Sequence, residues 1–510
     1  MDNKIIAYFC TEYALDPNLP IYAGGLGILA GDYMREANDQ KISVVGVGLF
    51  YNYENYDKLE LVLDKSGKPL NINVPIQDKQ IKVQVFKYLV GSIPIYLLNT
   101  NVLENDSDDQ LITNKIYVGD KETRLKQEMI LGIGGQRVLE ALDIHPAIYH
   151  LNEGHSAFLA LELIRHEIQA KQVSFDEAII LAQKKMVFTN HTLVTAGREI
   201  FSDELITLQL GGYVQELGVP ISEVVKLGQV KESSVFSMTN FSLAVTGKVN
   251  AVSKLHALKA VSIWPDYPML PITNGIHIKT WDKVGDIKNH QMCKQELLDY
   301  IYEQTGVKWE TNQLLLGWAR RFVEYKRPLA ILDDLEKFIG IARNNECPVK
   351  IVFSGETHEN DKQGKELVQK VKDLIKNEIG DLAVYLPKYN MMNAQKLVAG
   401  CDVWLNTPIV GFEACGTSGM KAALNGTLPC STQDGWIDEA ELYKVGWIID
   451  SDHITRNILD ILEHNIVPMY YQNQPQWQEH MENARNMVIN QFSTTRMLKE
   501  YFEKLYPNIF

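Results

Sequence analysis

The chain has 510 residues, 45% of them hydrophobic and 22% charged, which is enough to bury more than one core and sets two or three domains as the expectation. Its formal charge of −14 disfavours non-specific nucleic-acid binding, so any cationic cluster must be a local pocket in an acidic shell. No basic-then-apolar leader opens the chain and no apolar run reaches the ~18 residues of a membrane span, so a cytoplasmic protein without a membrane partner is expected.

In chain order, the first half carries apolar runs that read as buried strands: KIIAYFC, SVVGVGLFY, AIYHLN before SAFLALELIRHEI, and MVFTN before HTLVTAGREIF. A hairpin-like interruption occupies LELVLDKSGKPLNINVPIQDKQIKVQVFKYLV. Residues 1–281 are therefore expected to form one α/β domain. The charged stretch 282–311 has no buried-strand signal and is read as a connection. From about 312, β-rich runs (LLLGWA, VKIVFSG, LAVYLP, VWLNT) alternate with helical stretches, the pattern of a doubly wound parallel sheet over 312–490. A helix is expected to enter through Pro328, and the amphipathic tail 491–510 is expected to pack back onto the first domain.

Six scattered cysteines without CxxC spacing argue against disulfides and structural zinc. Ligands of doubly wound sheets bind at the carboxyl ends of strands, and several clusters fall there. WARRFVEYKRP puts Arg320, Arg321, Lys326 and Arg327 in one loop after a strand. That is a solvated charged loop or an anion pocket, since arginine suits bidentate phosphate recognition and lysine adds a point charge. IYAGGLGILAGD offers Gly24 and Gly25 ahead of a helix, where bare amides can approach an anion or a sugar. HLNEGH gathers His150, Glu153 and His155 without the helical H-E-x-x-H spacing, so sugar-hydroxyl contacts are expected rather than a metal. Asn190 and His191 in FTNHTLVTAG invite the same reading, against that of a satisfied core histidine.

GFEACGTSGMKAALNG turns from a small-residue loop into a helix near Thr417. Thr417 and Lys421, at i and i+4, share a face beside Gly416 and Gly419. A lysine amine next to a helix-start phosphate cradle is the arrangement expected of a pyridoxal phosphate anchor, the alternative being a loop salt bridge.

Taken together, YAGGLGILAGDYMREANDQKISVVGVGLFY, RLKQEMILGIGGQRVLEAL, HLNEGHSAFLALELI, FTNHTLVTAG, TNGIHIKTW, WARRFVEYKR and DVWLNTPIVGFEACGTSGMKAALNG resemble the α-glucan phosphorylase family, in particular its short bacterial and archaeal branch. The resemblance runs from about residue 7 to 450 and implies two Rossmann-like domains in the glycosyltransferase B (GT-B) arrangement, with an interdomain cleft. It implies retaining phosphorolysis of an α-1,4-glucan or maltodextrin by inorganic phosphate, and often a homodimer. It further implies that Lys421 carries pyridoxal 5'-phosphate, whose phosphate would be held by Arg320 and the backbone at Gly416, Thr417 and Ser418. Arg321, Lys326 and the Gly25 amide would bind the reacting phosphate, while Gly24, Glu153, His155, His191, Asn274 and Glu413 would bind sugar. Cys415, Glu356 with Thr357, and Val323 depart from the family pattern, which commonly has serine, Lys-Ala and histidine there. A retaining sugar-nucleotide glucan synthase of the same architecture tends to place a second carboxylate eight positions after the first, and eight after Glu413 is Lys421. A catalytically silent glucan-binding homologue is the third reading.

Overall fold

The computed structural model describes all residues except 1–3, 20, 52–57, 194–197, 232, 358–360 and 507–510. The chain divides into two compact units. One comprises Met1–Val252, Ala257–Ile272 and Leu498–Phe510; the other comprises Ser253–His256 and Thr273–Met497.

The first unit is built on a ten-stranded mixed sheet. From one edge, Leu270–Pro271, Lys248–Ala251, Met186–Asn190, Ile148–Asn152, Ile6–Phe9, Val44–Leu49 and Ile93–Asn99 run parallel. Val44–Leu49 and Ile148–Asn152 are buried at every position, as expected of strands covered on both faces. The interruption read as a hairpin is one: Asn71–Ile76 pairs antiparallel with Lys79–Val90, which pairs antiparallel with Ile93–Asn99. The chain runs outward on one side of Ile6–Phe9 before returning to its other side at Ile148–Asn152, so the strand order reverses between these two strands. Leu498–Phe510 belongs to this unit. There the Tyr506 hydroxyl meets His150 Nδ1 at 2.5 Å, and Lys248 Nζ donates to the Lys504 carbonyl at 2.9 Å.

The second unit holds a six-stranded, fully parallel sheet in the spatial order Ala383–Leu386, Val349–Ser354, Leu314–Ala319, Val403–Asn406, Leu428–Thr432, Trp447–Ile449. The order reverses between Leu314–Ala319 and Val403–Asn406, so the loops leaving these two strands flank a topological switch point, where doubly wound sheets bind ligands.

Three expectations are corrected. Residues 282–311 are not a bare connection: His290–Thr305 is a helix of the second unit with Leu297, Leu298 and Ile301 buried, and Lys294 donates to Asp402 Oδ2 at 2.5 Å. The boundary at 281 also moves. Residues 273–281 belong to the second unit, where Thr273 Oγ1 donates to Glu439 and Ile276 pairs with Ser493. The helix expected at Pro328 begins at Leu335, because Arg327 adopts a left-handed conformation and spends its guanidinium on the carbonyls of Thr407 and Pro408. Asp334 supplies the N-cap, accepting from the Lys337 N–H.

Candidate active site

In the second unit, the strand Leu314–Ala319 delivers Arg320 into the interior at 5% exposure. Its Nε and Nη2 are buried without a hydrogen-bond partner, and its guanidinium carbon lies 5.6 Å from the Trp318 ring centroid. An unpaired buried cation is costly, so this geometry is that of a site shaped for an anion. Burial pulls the Arg320 guanidinium below its ordinary value, with Glu413 opposing the shift. Arg321, the next residue, is exposed. A short 3-10 turn, Glu324–Lys326, then brings Lys326 Nζ to 3.0 Å from Glu413 Oε2. Burial lowers the Lys326 pKa, reinforced by Arg320 and Arg321 and resisted by Glu413. Burial also opposes ionisation of Glu413, but Lys326 and Arg320 outweigh it and hold the carboxyl below its ordinary range.

Glu413 is held by a residue that sequence reasoning missed. Buried Asp434 accepts from the Phe412 and Glu413 N–H groups at 3.2 and 2.9 Å through Oδ2, and from Gly435 N–H at 2.9 Å through Oδ1. Gly435 has φ +60°, and a Cβ there would lie 2.2 Å from the Cys415 carbonyl oxygen, so glycine is required for the two loops to close on each other. The same carbonyl accepts from Trp436 N–H. Gly416, at φ +79°, turns the loop into the helix Thr417–Leu424 as its N-cap, without a side-chain cap, leaving early helix N–H groups for a ligand. Lys421 is 7% exposed; its amine donates to Thr417 Oγ1 at 3.1 Å and lies 4.2 Å from the Trp281 ring centroid. Ser418 Oγ accepts weakly from Trp404 Nε1. Asn274 is buried with its Oδ1 unpartnered, while its carbonyl accepts from Arg496. Of the departures from the family pattern, the Cys415 thiol faces the Asn274 N–H, Glu356 is exposed, and Val323 leads into the 3-10 turn.

In the first unit, the helix Gly25–Asp39 starts from an uncapped Gly24, and nothing lies within 4 Å of where a Gly25 side chain would be. The Gly24 N–H is already taken by Glu12 Oε2 at 3.0 Å, so Gly25 offers the open backbone. Glu12, at 2% exposure, follows the strand Ile6–Phe9 and also accepts from Tyr117 OH. Glu153, at φ +71°, receives the His191 N–H and Thr192 hydroxyl on Oε2, and His191 Nε2 meets Asn152 Oδ1 at 2.7 Å. Burial raises the Glu153 pKa. The remainder of the FTNHTLVTAG block, 194–197, lies outside the described residues.

His155 joins Glu128 and Glu199 with ligand atoms within 4.8 Å of one another, a spacing that a metal could use. Lys121 and Arg124 already neutralise Glu199, so the group does not have the net negative charge that favours a divalent cation. His150, read as a neighbour of the site, is instead a core residue. Its Nε2 meets Thr189 at 2.7 Å, and burial pushes its pKa to about 3.

Cations and a helix N-terminus at the switch point of a parallel sheet are the features of a doubly wound α/β protein with room for an anionic ligand. The carbohydrate phosphorylase family profile matches residues 278–443. The chain is 35% identical to maltodextrin phosphorylase of Thermococcus litoralis, across 98% of its own length and 70% of that protein. It is 31% identical to glycogen phosphorylase of Aquifex aeolicus, across 99% and 86% respectively. An uncharacterized protein of Methanocaldococcus jannaschii is 30% identical and matched over its full length. The chain belongs to the α-glucan phosphorylase family of glycosyltransferases. Among the described residues no helix is long and apolar enough to cross a membrane.

Proposed function

We propose that the protein cleaves α-1,4-glucans from the non-reducing end with inorganic phosphate, releasing α-glucose 1-phosphate with retention, as a cytoplasmic GT-B enzyme using pyridoxal 5'-phosphate. One observation carries the reading: the Arg320 guanidinium, buried with two nitrogens unpartnered, on the loop that also supplies Lys326. Orphaned cationic donors fit a phosphate, and the uncapped N-terminus at Gly416 fits the same chemistry. Lys421 would tether the cofactor, and Arg320 with the backbone of Gly416, Thr417 and Ser418 would hold its phosphate. Bound there, that phosphate supplies a group able to give and take a proton near neutral pH.

Arg321, Lys326 and the Gly25 amide would hold the reacting phosphate. Glu413, Asn274, His191, Glu153, His155 and the Gly24 turn would fix the glucosyl hydroxyls. In the net reaction the proton of inorganic phosphate passes to the glycosidic oxygen, the bond from that oxygen to the anomeric carbon breaks, and a phosphate oxygen bonds to the anomeric carbon on the same face. A pair of catalytic carboxylates, the usual glycosidase device, would repel such a nucleophile. Cations that stabilise its charge replace them.

The rival reading, a sugar-nucleotide synthase, is disfavoured by Lys421 at the position where a second carboxylate would stand. Incubation with maltodextrin and phosphate, with and without chelator, decides between them. Phosphate-dependent release of glucose 1-phosphate that survives the chelator is expected. Glucosyl transfer from a nucleotide sugar, without glucose 1-phosphate from maltodextrin, would reject the proposal. The assembly proposed is a homodimer, which sedimentation would test.

A further inference from the structure

Asn425 is fully buried at the C-terminal end of the helix that carries Lys421. Its side-chain amide uses all of its hydrogen-bonding capacity on four backbone groups from two segments. Nδ2 donates to the carbonyls of Lys421 and Trp281, each at 2.8 Å. Oδ1 accepts from the N–H groups of Lys283 and Val284 at 2.8 and 3.2 Å. Its own carbonyl takes His290 Nδ1 at 3.1 Å. The side chain thus spans from the residue whose amine lies over an indole to the residue that bears the indole. Nearby, Arg485 clips the same segments by donating to the Leu424 carbonyl and pairing with Asp282 at 2.5 Å. Arg485 fixes the approach of the segments without touching either Lys421 or Trp281 in these bonds. Arg485 joins the two main chains through the Leu424 and Gly285 carbonyls, whereas the Asn425 amide bonds the carbonyls of Trp281 and Lys421 themselves.

We propose that Asn425 is the positioning residue of the Lys421 amine: by clasping both carbonyls it sets the Trp281 ring 4.2 Å from Nζ and so fixes where the amine points. The proposal concerns the protein's own amine, and its bearing on cofactor attachment rests on the reading of Lys421 as the anchor. A side-chain amide suits the task because one group donates twice and accepts twice; an aspartate could not donate, and a serine is too short to span. The ring holds the amine by a cation–π contact of about 0.5–1 kcal/mol at minimum, which corresponds to about a two- to fivefold change in how often the amine leaves it.

The test uses the full chain freed of pyridoxal phosphate, because acylation requires the Lys421 amine to be unsubstituted. Acetic anhydride labelling of Lys421, read by peptide mass spectrometry against the exposed Lys254 as internal reference, should be about two- to fivefold faster in Asn425→Ala and in Trp281→Leu than in the parent protein. The double variant should be no faster than Trp281→Leu alone, because both changes remove one contact. A merely structural asparagine predicts a lower melting temperature with an unchanged relative labelling rate, or effects that add in the double variant, and either result overturns the proposal. If Asn425→Ala does not fold, Asn425→Ser supplies the same comparison. A separate arm treats the protein with pyridoxal phosphate and borohydride. Attachment elsewhere than Lys421 rejects the anchor reading, while the labelling result still decides the role of Asn425.

Discussion

Lys326 and Glu413 form an ion pair at 3.0 Å, with their side chains 15% and 12% exposed. Each comes from a loop that leaves one of the two strands flanking the switch point, so the pair ties the cationic loop to the loop that leads into the Lys421 helix. It also neutralises one of the charges proposed to bind phosphate. Glu413→Gln should therefore raise affinity for inorganic phosphate by about tenfold, as expected for removing one close negative charge in a partly screened site. Turnover should fall by at least about tenfold, because the variant weakens the proposed sugar contact. Isothermal titration with phosphate and steady-state assay check the two halves separately, and weaker phosphate binding would contradict this account.

Lys421→Ala should leave a folded protein without cofactor. The side chain contributes a buried stem and a contact with Trp281, whose loss costs about 1–2 kcal/mol, well short of the stability of an ordinary domain. Circular dichroism should stay native while near-ultraviolet absorbance from the cofactor disappears. Persistence of that absorbance would place the anchor at another residue.

Arg321 and Lys326 are assigned to the reacting phosphate and Arg320 to the cofactor. Replacing Arg321 or Lys326 with Gln should raise the phosphate KM and lower kcat, together costing about 2–4 kcal/mol of transition-state stabilisation, with bound cofactor retained. Cofactor loss at unchanged phosphate dependence would mean that the two anion sites are exchanged.

His150 gives a pH prediction. Burial depresses its pKa from the ordinary 6.5 to about 3, so the unfolded chain takes up a proton at a pH where the folded protein does not. The stability tied to neutral His150 is complete above about pH 6.5 and is lost progressively as pH falls towards about 3. Amide exchange of the strand Ile148–Asn152, corrected for intrinsic rate, should lose protection between pH 7.5 and 5 in the parent protein and less so in His150→Gln. Equal losses in both would assign the effect to other groups.

Strands such as Leu314–Ala319 and Val349–Ser354 were legible because both are buried at every position, and such strands read as unbroken apolar runs. The helix His290–Thr305 was not, because its buried residues, among them Cys293, Leu297, Leu298 and Ile301, are set among charged neighbours and include the buried Lys294. Lys294 is tolerated inside because Asp402, the Gln313 carbonyl and the Tyr470 hydroxyl all receive it, and those partners are distant in sequence. The same limit applied at the site. Lys326, Glu413 and Lys421 stand in motifs whose chemistry can be named, whereas Glu12, Asp434 and Asn425 act by holding backbone groups from distant segments. A lone Asp, Asn or Glu carries no signal of which main-chain groups it will clasp.

The position of Tyr506 has a consequence for how the protein is made. Its hydroxyl joins His150 inside the first unit, next to the rings of Tyr8, Tyr33 and Tyr501. About 350 residues of chain separate the two partners in the order of synthesis. While the ribosome is still adding those residues, the first unit lacks Tyr501 and Tyr506, and the second unit has all of its own segments before the first does. The amino-terminal part of the first unit therefore reaches its full packing around His150 only once Tyr501 and Tyr506 are available to it.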